Sequence, residues 1–291
     1  MFYQNLIINN SFKNLTTNYL KNNKVPHALL LYGKSGSGKE GHAIEFAATL
    51  NCKSNVNFEA CGKCHSCVQL SSMQHPNIHF IIPYPKRNSI SKNDLPEKTL
   101  NSKDIDELRT LKKNKTQDPY SEFKLKNANT ILINSIRFLK KEIYNTSIED
   151  GWKIILIFEA DKLCKPNTES ANALLKILEE PPEKTIFILV TNKYENIIST
   201  IKSRCQNIFF PKLTLDKISN ALNKNIDFQS LKLFIKLFNG NFRLIKKNIK
   251  SSENIDKKIV EILKYLFYRV QINPQTNTDL SILNKLDKSN W

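Results

Sequence analysis

Ala28-Leu29-Leu30-Leu31-Tyr32-Gly33-Lys34-Ser35-Gly36-Ser37-Gly38-Lys39 is the stretch on which the reading of this chain turns. Its five leading residues form an unbroken apolar run, the pattern of a strand buried on both faces of a parallel sheet. The seven that follow fit Gly-x-x-x-x-Gly-Lys, and Lys39 to about Leu50 reads as a helix. In such a strand–loop–helix, glycines let backbone N–H groups curl around phosphate oxygens. The helix N-terminus adds positive potential, and the lysine reaches the outer phosphates. Gly33, Lys34, Ser35, Gly36, Ser37, Gly38 and Lys39 are therefore candidate nucleotide-binding residues, with ATP or ADP as the ligand class. The next position departs from the pattern. A Ser or Thr hydroxyl is expected there as a Mg²⁺ ligand, and this chain has Glu40, which is longer, charged and repulsive to phosphate.

Further along, Ile154-Ile155-Leu156-Ile157-Phe158-Glu159 has the form of the second strand of such a site, four apolar residues and then, ordinarily, Asp-Glu. The Asp would hold Mg²⁺ and the Glu would orient the attacking water. Phe158 stands at the Asp position and cannot bind a metal. Glu159 is either the catalytic carboxylate or a solvated side chain at a strand end, and Asp161 follows two residues later. Two altered magnesium positions argue against a robust ATPase.

Around these motifs, residues 11–24, 130–145 and 167–180 read as helices, and Lys153–Phe158 and Thr185–Thr191 as further strands. Alternating strands and helices predict an α/β fold with a parallel, helix-covered sheet. Beyond Leu213 the pattern is helical, as at 228–238 and 254–270. Residues 83–105 carry Pro83, Pro85 and Pro96 and read as a long loop, and the polar stretch 83–127 suggests no role. There are no internal repeats.

Four of the six cysteines are spaced Cys52-x8-Cys61-x2-Cys64-x2-Cys67. Four thiolates at this density suit tetrahedral Zn²⁺ in a structural site, within an insert at about 52–67. Disulfides would need an oxidising compartment, for which no targeting signal speaks. An iron–sulfur cluster would imply electron transfer, which nothing else suggests. His65 reads as a bystander, and Cys164 and Cys205 as lone thiols.

The 291 residues carry 44 basic and 27 acidic side chains, a net charge of +17. A polyanionic partner would explain that balance, and so would compositional bias in a chain rich in Lys, Asn and Ile with only 7 Gly. Residues 211–291 hold 15 basic and 7 acidic side chains and are the denser part. No apolar run reaches the roughly 18–20 residues of a membrane span. Met1-Phe2-Tyr3-Gln4-Asn5 does not open a secretory signal. A cytoplasmic location without membrane association is expected.

With these pieces placed, the chain resembles the δ′-type clamp-loader subunits of bacterial DNA polymerase III, in the AAA+ family. The resemblance covers roughly residues 1–250. It is carried by Pro26-His27-Ala28, the phosphate loop and the four-cysteine insert after its helix. It continues through Ser170-Ala171-Asn172-Ala173-Leu174-Leu175-Lys176-Ile177-Leu178-Glu179-Glu180-Pro181-Pro182 and Thr200-Ile201-Lys202-Ser203-Arg204-Cys205. It implies that Arg204 is an arginine finger projected into a neighbour's ATP site, where a guanidinium suits charge developing on a γ-phosphate. Read in isolation, Arg204 would be a surface arginine. The resemblance further implies a sensor 1 position at Thr191-Asn192, and a sensor 2 segment at Gly240-Asn241-Phe242-Arg243 with Arg243 facing phosphate. The isolated reading of Arg243 is a solvent-facing helical residue.

The expected organisation is an AAA+ α/β domain over 1–212, a helical lid over 213–250 and a short helical segment over 251–291, a reduced form of the family's C-terminal collar. The expected function is a clamp-loader subunit that lends Arg204 to an ATPase neighbour while the sliding clamp is loaded on primed DNA. Its partners would be the other subunits of a hetero-oligomeric ring, the clamp, and primer-template DNA through the complex. The alternatives are an active motor subunit of the same complex, and a zinc-stabilised nucleic-acid-binding protein that uses its charge.

Overall fold

The computed structural model describes residues 1–145, 150–222 and 228–250. The helix expected at 254–270 and the segment 251–291 lie outside the described residues. The chain divides into two compact units, Met1–Pro211 and Lys212–Trp291.

The first unit is built on β1 (Ala28–Gly33), whose first four residues are at most 1% exposed. Ahead of it lies α1 (Asn10–Lys21), opened by the Asn9 side chain accepting from the Phe12 N–H at 3.2 Å. After it come α2 (Lys39–Asn51), α3 (His65–Ser71), β2 (Ile78–Ile81) and α4 (Ser102–Gln117). Then follow α5 (Ile133–Tyr144), β3 (Lys153–Phe158), α6 (Glu169–Glu179), β4 (Thr185–Thr191), α7 (Ser199–Arg204) and β5 (Gln206–Phe210). The five strands form one all-parallel sheet in the order β2-β3-β4-β1-β5. The phosphate-loop strand thus has a partner on either side, and β4 separates it from β3. β3 and β4 are almost wholly buried, as their continuous apolar runs require.

The core divides by the two-residue period of the strands. Leu30, Ile155, Ile157, Phe187 and Leu189 point to the face covered by α5 and α6, meeting Ile136, Leu139, Ile143, Leu174 and Ile177. The alternate residues Leu29, Leu31, Leu156 and Ile188 are equally buried on the other face, where α2 packs on β1, β3 and β4. Sealing one such aliphatic side chain from water contributes about 1.5–3 kcal/mol.

Two strands went unread in the sequence. β2 and β5 lie at the sheet edges; β5 exposes Gln206, Asn207 and Phe209, and β2 is only four residues long. Among the described residues each pairs with one inner strand, β2 with β3 and β5 with β1, and is open on its other edge, so neither needs a long apolar run. The expected loop over 83–105 is also corrected. Pro96–Thr99 forms a 3₁₀ turn, and α4 starts at Ser102 with a reciprocal capping box between Asn101 and Asp104. Asp104, 4% exposed, also holds Arg87 at 3.3 Å. These fixed points tie the stretch to the body of the domain.

In the second unit, α8 (Leu215–Leu222), α9 (Phe228–Leu237) and α10 (Phe242–Lys250) bury Ile218, Leu231, Phe234, Phe238, Ile245 and Ile249. Gly240 takes φ 73° in the turn between α9 and α10.

The tightest approach in the sheet is at Gly33, with φ 147°, where an added Cβ would lie 2.2 Å from the Phe210 carbonyl oxygen on β5. Gly33→Ala is expected to destabilise the protein by about 3 kcal/mol through backbone strain and the parting of β1 from β5. Denaturant midpoints of the two proteins check this.

Candidate functional site

The phosphate loop runs from the end of β1 into α2. Gly36 and Gly38 take φ of 75° and 86°, left-handed conformations that a side chain would strain. Gly38 is the N-cap of α2 and gives no side-chain cap, so the first N–H groups of the helix are left to other acceptors. Successive N–H groups in such a turn make a concave anion-binding surface.

Lys39 is 4% exposed, and its ammonium donates to the Lys34 carbonyl at 2.8 Å, to Ser37 Oγ at 3.4 Å and to Asn192 Oδ1 at 2.7 Å. Asn192 thus reaches the loop from the end of β4. Its neighbour Thr191 donates to Asp161 Oδ1 at 2.8 Å and accepts from the Lys193 N–H at 2.9 Å, which holds the strand end in place. Burial pulls the Lys39 pKa down to about 8, with the nearby Lys115 adding to the effect and Glu40 opposing it.

Glu40, one residue on, pairs with the Lys115 ammonium. Lys115 is 1% exposed and also donates to the carbonyls of Pro119 at 3.0 Å and Ser121 at 2.9 Å. Phe158 is fully buried, its ring 5.8 Å from that of Phe123. Glu159 adopts φ 50°, ψ 46° at the start of a 3₁₀ turn over Ala160–Cys164. One of its oxygens pairs with Lys124 at 3.3 Å, while the other is buried without a hydrogen-bond partner. Burial raises the Glu159 pKa against the pull of Lys124. This corrects the reading of Glu159 as a solvated carboxylate. Tyr120 completes the surround. Its hydroxyl accepts from the Ile7 N–H at 2.9 Å, and a Cβ built on Gly38 would lie 3.4 Å from its ring.

Lys115, Tyr120, Phe123 and Lys124 all come from the polar stretch and were missed in the sequence. Lys115 follows Lys112 and Lys113 on α4, and only the tertiary structure distinguishes it from these more exposed neighbours. The aromatics Tyr120 and Phe123 in an otherwise polar run were the available signal.

Arg204 ends α7, about one-third exposed, and donates to Glu179 Oε1 at 2.8 Å and to the Thr200 carbonyl at 3.1 Å. Both groups of this pair are substantially exposed, so it contributes only about 0–1 kcal/mol. Arg243 is the second residue of α10, in the second unit.

The four cysteines converge. Their sulfurs lie within 4.8 Å of one another, with Cys52 Sγ to Cys64 Sγ at 3.8 Å. A tetrahedron of thiolates about 2.3 Å from zinc has edges of about 3.8 Å, so the set fits a zinc module. Backbone N–H groups already aim at the sulfurs: Cys61 toward Cys52 Sγ at 3.2 Å, and Lys63 and Cys64 toward Cys61 Sγ at 3.4 and 3.2 Å. The last two donors hold the Cys61 thiol down to about 6. Cys64 is the N-cap of α3, which places Cys67 on its first turn. His65 instead meets Gln69 at 2.9 Å. Cys164 and Cys205 stand apart, and burial pushes Cys205 up to about 12.

The depressed pKa of Lys39 carries a sign. Between pH 8 and its ordinary value of 10.5 the unfolded chain holds a proton there that the folded chain has lost, so stability contributed by this group rises with pH. Relative to Lys39→Met, the wild-type protein is expected to gain about 1.4 kcal/mol per pH unit above pH 8. Parallel denaturation of both proteins between pH 7 and 10 checks it.

Residues 8–214 match the family model described as DNA polymerase III, delta subunit. The DNA polymerase III subunit delta′ of Buchnera aphidicola is 31% identical over 69% of this chain and 48% of its own length. The DNA polymerase III subunit gamma/tau of Mycoplasma pneumoniae is 26% identical over 77% of this chain and 26% of its own. The crystal structure of a DNA polymerase III gamma subunit-related protein from Thermotoga maritima aligns with a TM-score of 0.42 at 14% identity, covering 87% of this chain and 76% of that one. The chain spans about a quarter to a half of the curated relatives it matches. With the family model covering most of its length, and the delta′ relatives at 26–31% identity, the chain belongs to the DNA polymerase III delta subunit family, in its delta′-like branch.

Proposed function

We propose that this protein is a clamp-loader subunit of the bacterial replicative polymerase that assists a neighbour's ATP hydrolysis rather than its own. The observation that carries this reading is the contrast between two sites in one chain. At the phosphate loop, Phe158 removes a metal ligand and Glu40 is paired with Lys115. Arg204, in contrast, sits at the end of a short helix, partly exposed, and is held by a weak surface ion pair and one helix carbonyl. A guanidinium so tethered can exchange Glu179 for a developing phosphate charge at little cost, and its planar fork suits that partner. The same contrast disfavours an active motor subunit, whose own metal site would have to work.

The partners of this function are the other subunits of a hetero-oligomeric ring, the sliding clamp, and primer-template DNA reached through the complex, in the cytoplasm. No helix among the described residues is long and apolar enough to cross a membrane. The +17 charge then serves contacts shared within the complex, not tight DNA binding by the chain alone. Within the site, Gly33 to Lys39 and Asn192 form the nucleotide cradle, and Thr191 braces it. Arg243 is assigned the sensor 2 role by its motif alone. Residues 1–212 act as the AAA+ domain, 213–250 as the lid and 251–291 as a reduced collar segment.

Cys52, Cys61, Cys64 and Cys67 hold a structural zinc ion. All four coordination positions go to protein thiolates, which leaves none for substrate. The ion ties the insert to the end of α2, where Cys52 is the C-cap.

Two measurements test these assignments. Elemental analysis of purified protein is expected to give about one zinc per chain, lost on Cys61→Ser together with thermal stability. Metal-free protein of unchanged stability refutes the zinc module. In a loader reconstituted with its ATPase partner, Arg204→Ala is expected to lower DNA- and clamp-stimulated hydrolysis by roughly tenfold or more, and Arg204→Lys is expected not to restore it. Undiminished turnover in the Ala variant removes the finger role.

A further inference from the structure

The stretch between β2 and α5 closes one side of the phosphate site. Residues 115–121 wrap the Lys115 ammonium, whose three hydrogens are taken by Glu40, the Pro119 carbonyl and the Ser121 carbonyl. Two residues later the Phe123 ring stands against Phe158, and its neighbour Lys124 pairs with Glu159 at 3.3 Å. Pro119 lies over α2, since a Cβ on Gly41 would come within 2.6 Å of its own Cβ. One short segment therefore meets all three positions at which a phosphate loop of this pattern handles a metal ion or its attacking water.

The donor set does not fit magnesium. That ion demands near-octahedral oxygen ligation at short range. Here one position is a phenyl ring, and the other two are carboxylates already paired with ammonium groups. The second oxygen of Glu159, buried and without a hydrogen-bond partner, offers a single ligand atom. The anion-binding half is nevertheless complete: left-handed Gly36 and Gly38, an N-terminus of α2 without a side-chain cap, and Lys39 turned back onto its loop. Two carboxylates beside a phosphate cradle would repel its ligand. Pairing each with a lysine from one segment removes that repulsion without a metal.

We propose that this loop binds a nucleoside polyphosphate as the metal-free anion, with Lys115 and Lys124 neutralising Glu40 and Glu159 in place of a divalent cation. The proposal rests on the phosphate-loop reading above and is independent of the role of Arg204. It has a consequence of unusual sign. Magnesium complexes ATP in solution and so competes with the site, whereas in a metal-dependent site it strengthens binding.

Isothermal titration calorimetry of the full chain with ATP, in EDTA and in excess MgCl₂, reads that sign. Binding is expected in EDTA and is expected to weaken by about tenfold or more in excess magnesium, following the fall in free nucleotide. Tighter binding in magnesium overturns the proposal. Binding in neither condition overturns it as well, together with the phosphate-loop reading, and leaves the Arg204 assignment to its own assay. Lys115→Met and the more exposed Lys124→Met test the countercharge. Each is expected to lose about threefold or more of the EDTA affinity, with circular dichroism and denaturant midpoints reporting whether the fold persists. Unchanged affinity in a folded Lys124→Met protein refutes the neutralising role.

Discussion

Everything in the first unit depends on one strand being paired on both edges. β1 gives its backbone to β4 on one side and β5 on the other, and its side chains fill both faces of the core. A buried strand has no water to satisfy its N–H and C=O groups, so a neighbour must be present on each side, and here both are parallel. This constraint delivers the phosphate loop to the carboxyl edge of the sheet and aims the open N-terminus of α2 across it. It also brings the end of β4 alongside, so that Asn192 reaches Lys39 from a residue 153 positions away. Gly33, pressed against the Phe210 carbonyl, marks where this pairing leaves no room for a side chain.

A second buried group sets the character of the site. An ammonium at 1% exposure is tolerable only if its charge and all its hydrogens are satisfied. Lys115 meets both conditions, with the Glu40 carboxylate and two carbonyls of the turn that follows α4. The Tyr3 hydroxyl donates to the Lys115 carbonyl at 2.8 Å, and the Tyr120 hydroxyl receives the Ile7 N–H, so the N-terminal segment is sewn to the same turn. The Glu40 substitution and the polar stretch form one structure. A lone glutamate at the head of the phosphate loop would be a liability, and with Lys115 against it, it is an anchor.

The cysteine module and the Arg204 helix obey a different logic, because neither is deep in the core. The four sulfurs lie close enough to share one ion, and they belong to a segment with little apolar content of its own. Metal ligation would supply there the cohesion that burial supplies elsewhere. Arg204 is held loosely, by one exposed carboxylate and one helix carbonyl. Rigid presentation by α7, between β4 and β5, combined with a weak tether suits a group whose proposed target lies on another chain.

The sequence by itself determined the α/β class, the central strands and the place of the phosphate loop. In each case a local pattern is enough: a short unbroken apolar run bounded by turn residues reads as a doubly buried strand, and glycines at set spacing permit only certain turns. It also identified the two departures, Glu40 and Phe158, and the four cysteines, because side-chain chemistry and spacing are local properties. The edge strands β2 and β5 were not legible, since an edge strand takes its order from a neighbour rather than from its own side chains. The partners of Glu40, Phe158 and Glu159 were hidden for the same reason. Lys115 lies 75 residues from Glu40, and nothing in a lysine-rich helix marks which lysine turns inward. Only the folding of the 115–124 turn onto α2 and β3 decided that these positions face ammonium and aromatic groups, because burial and charge pairing depend on distance in space and not along the chain.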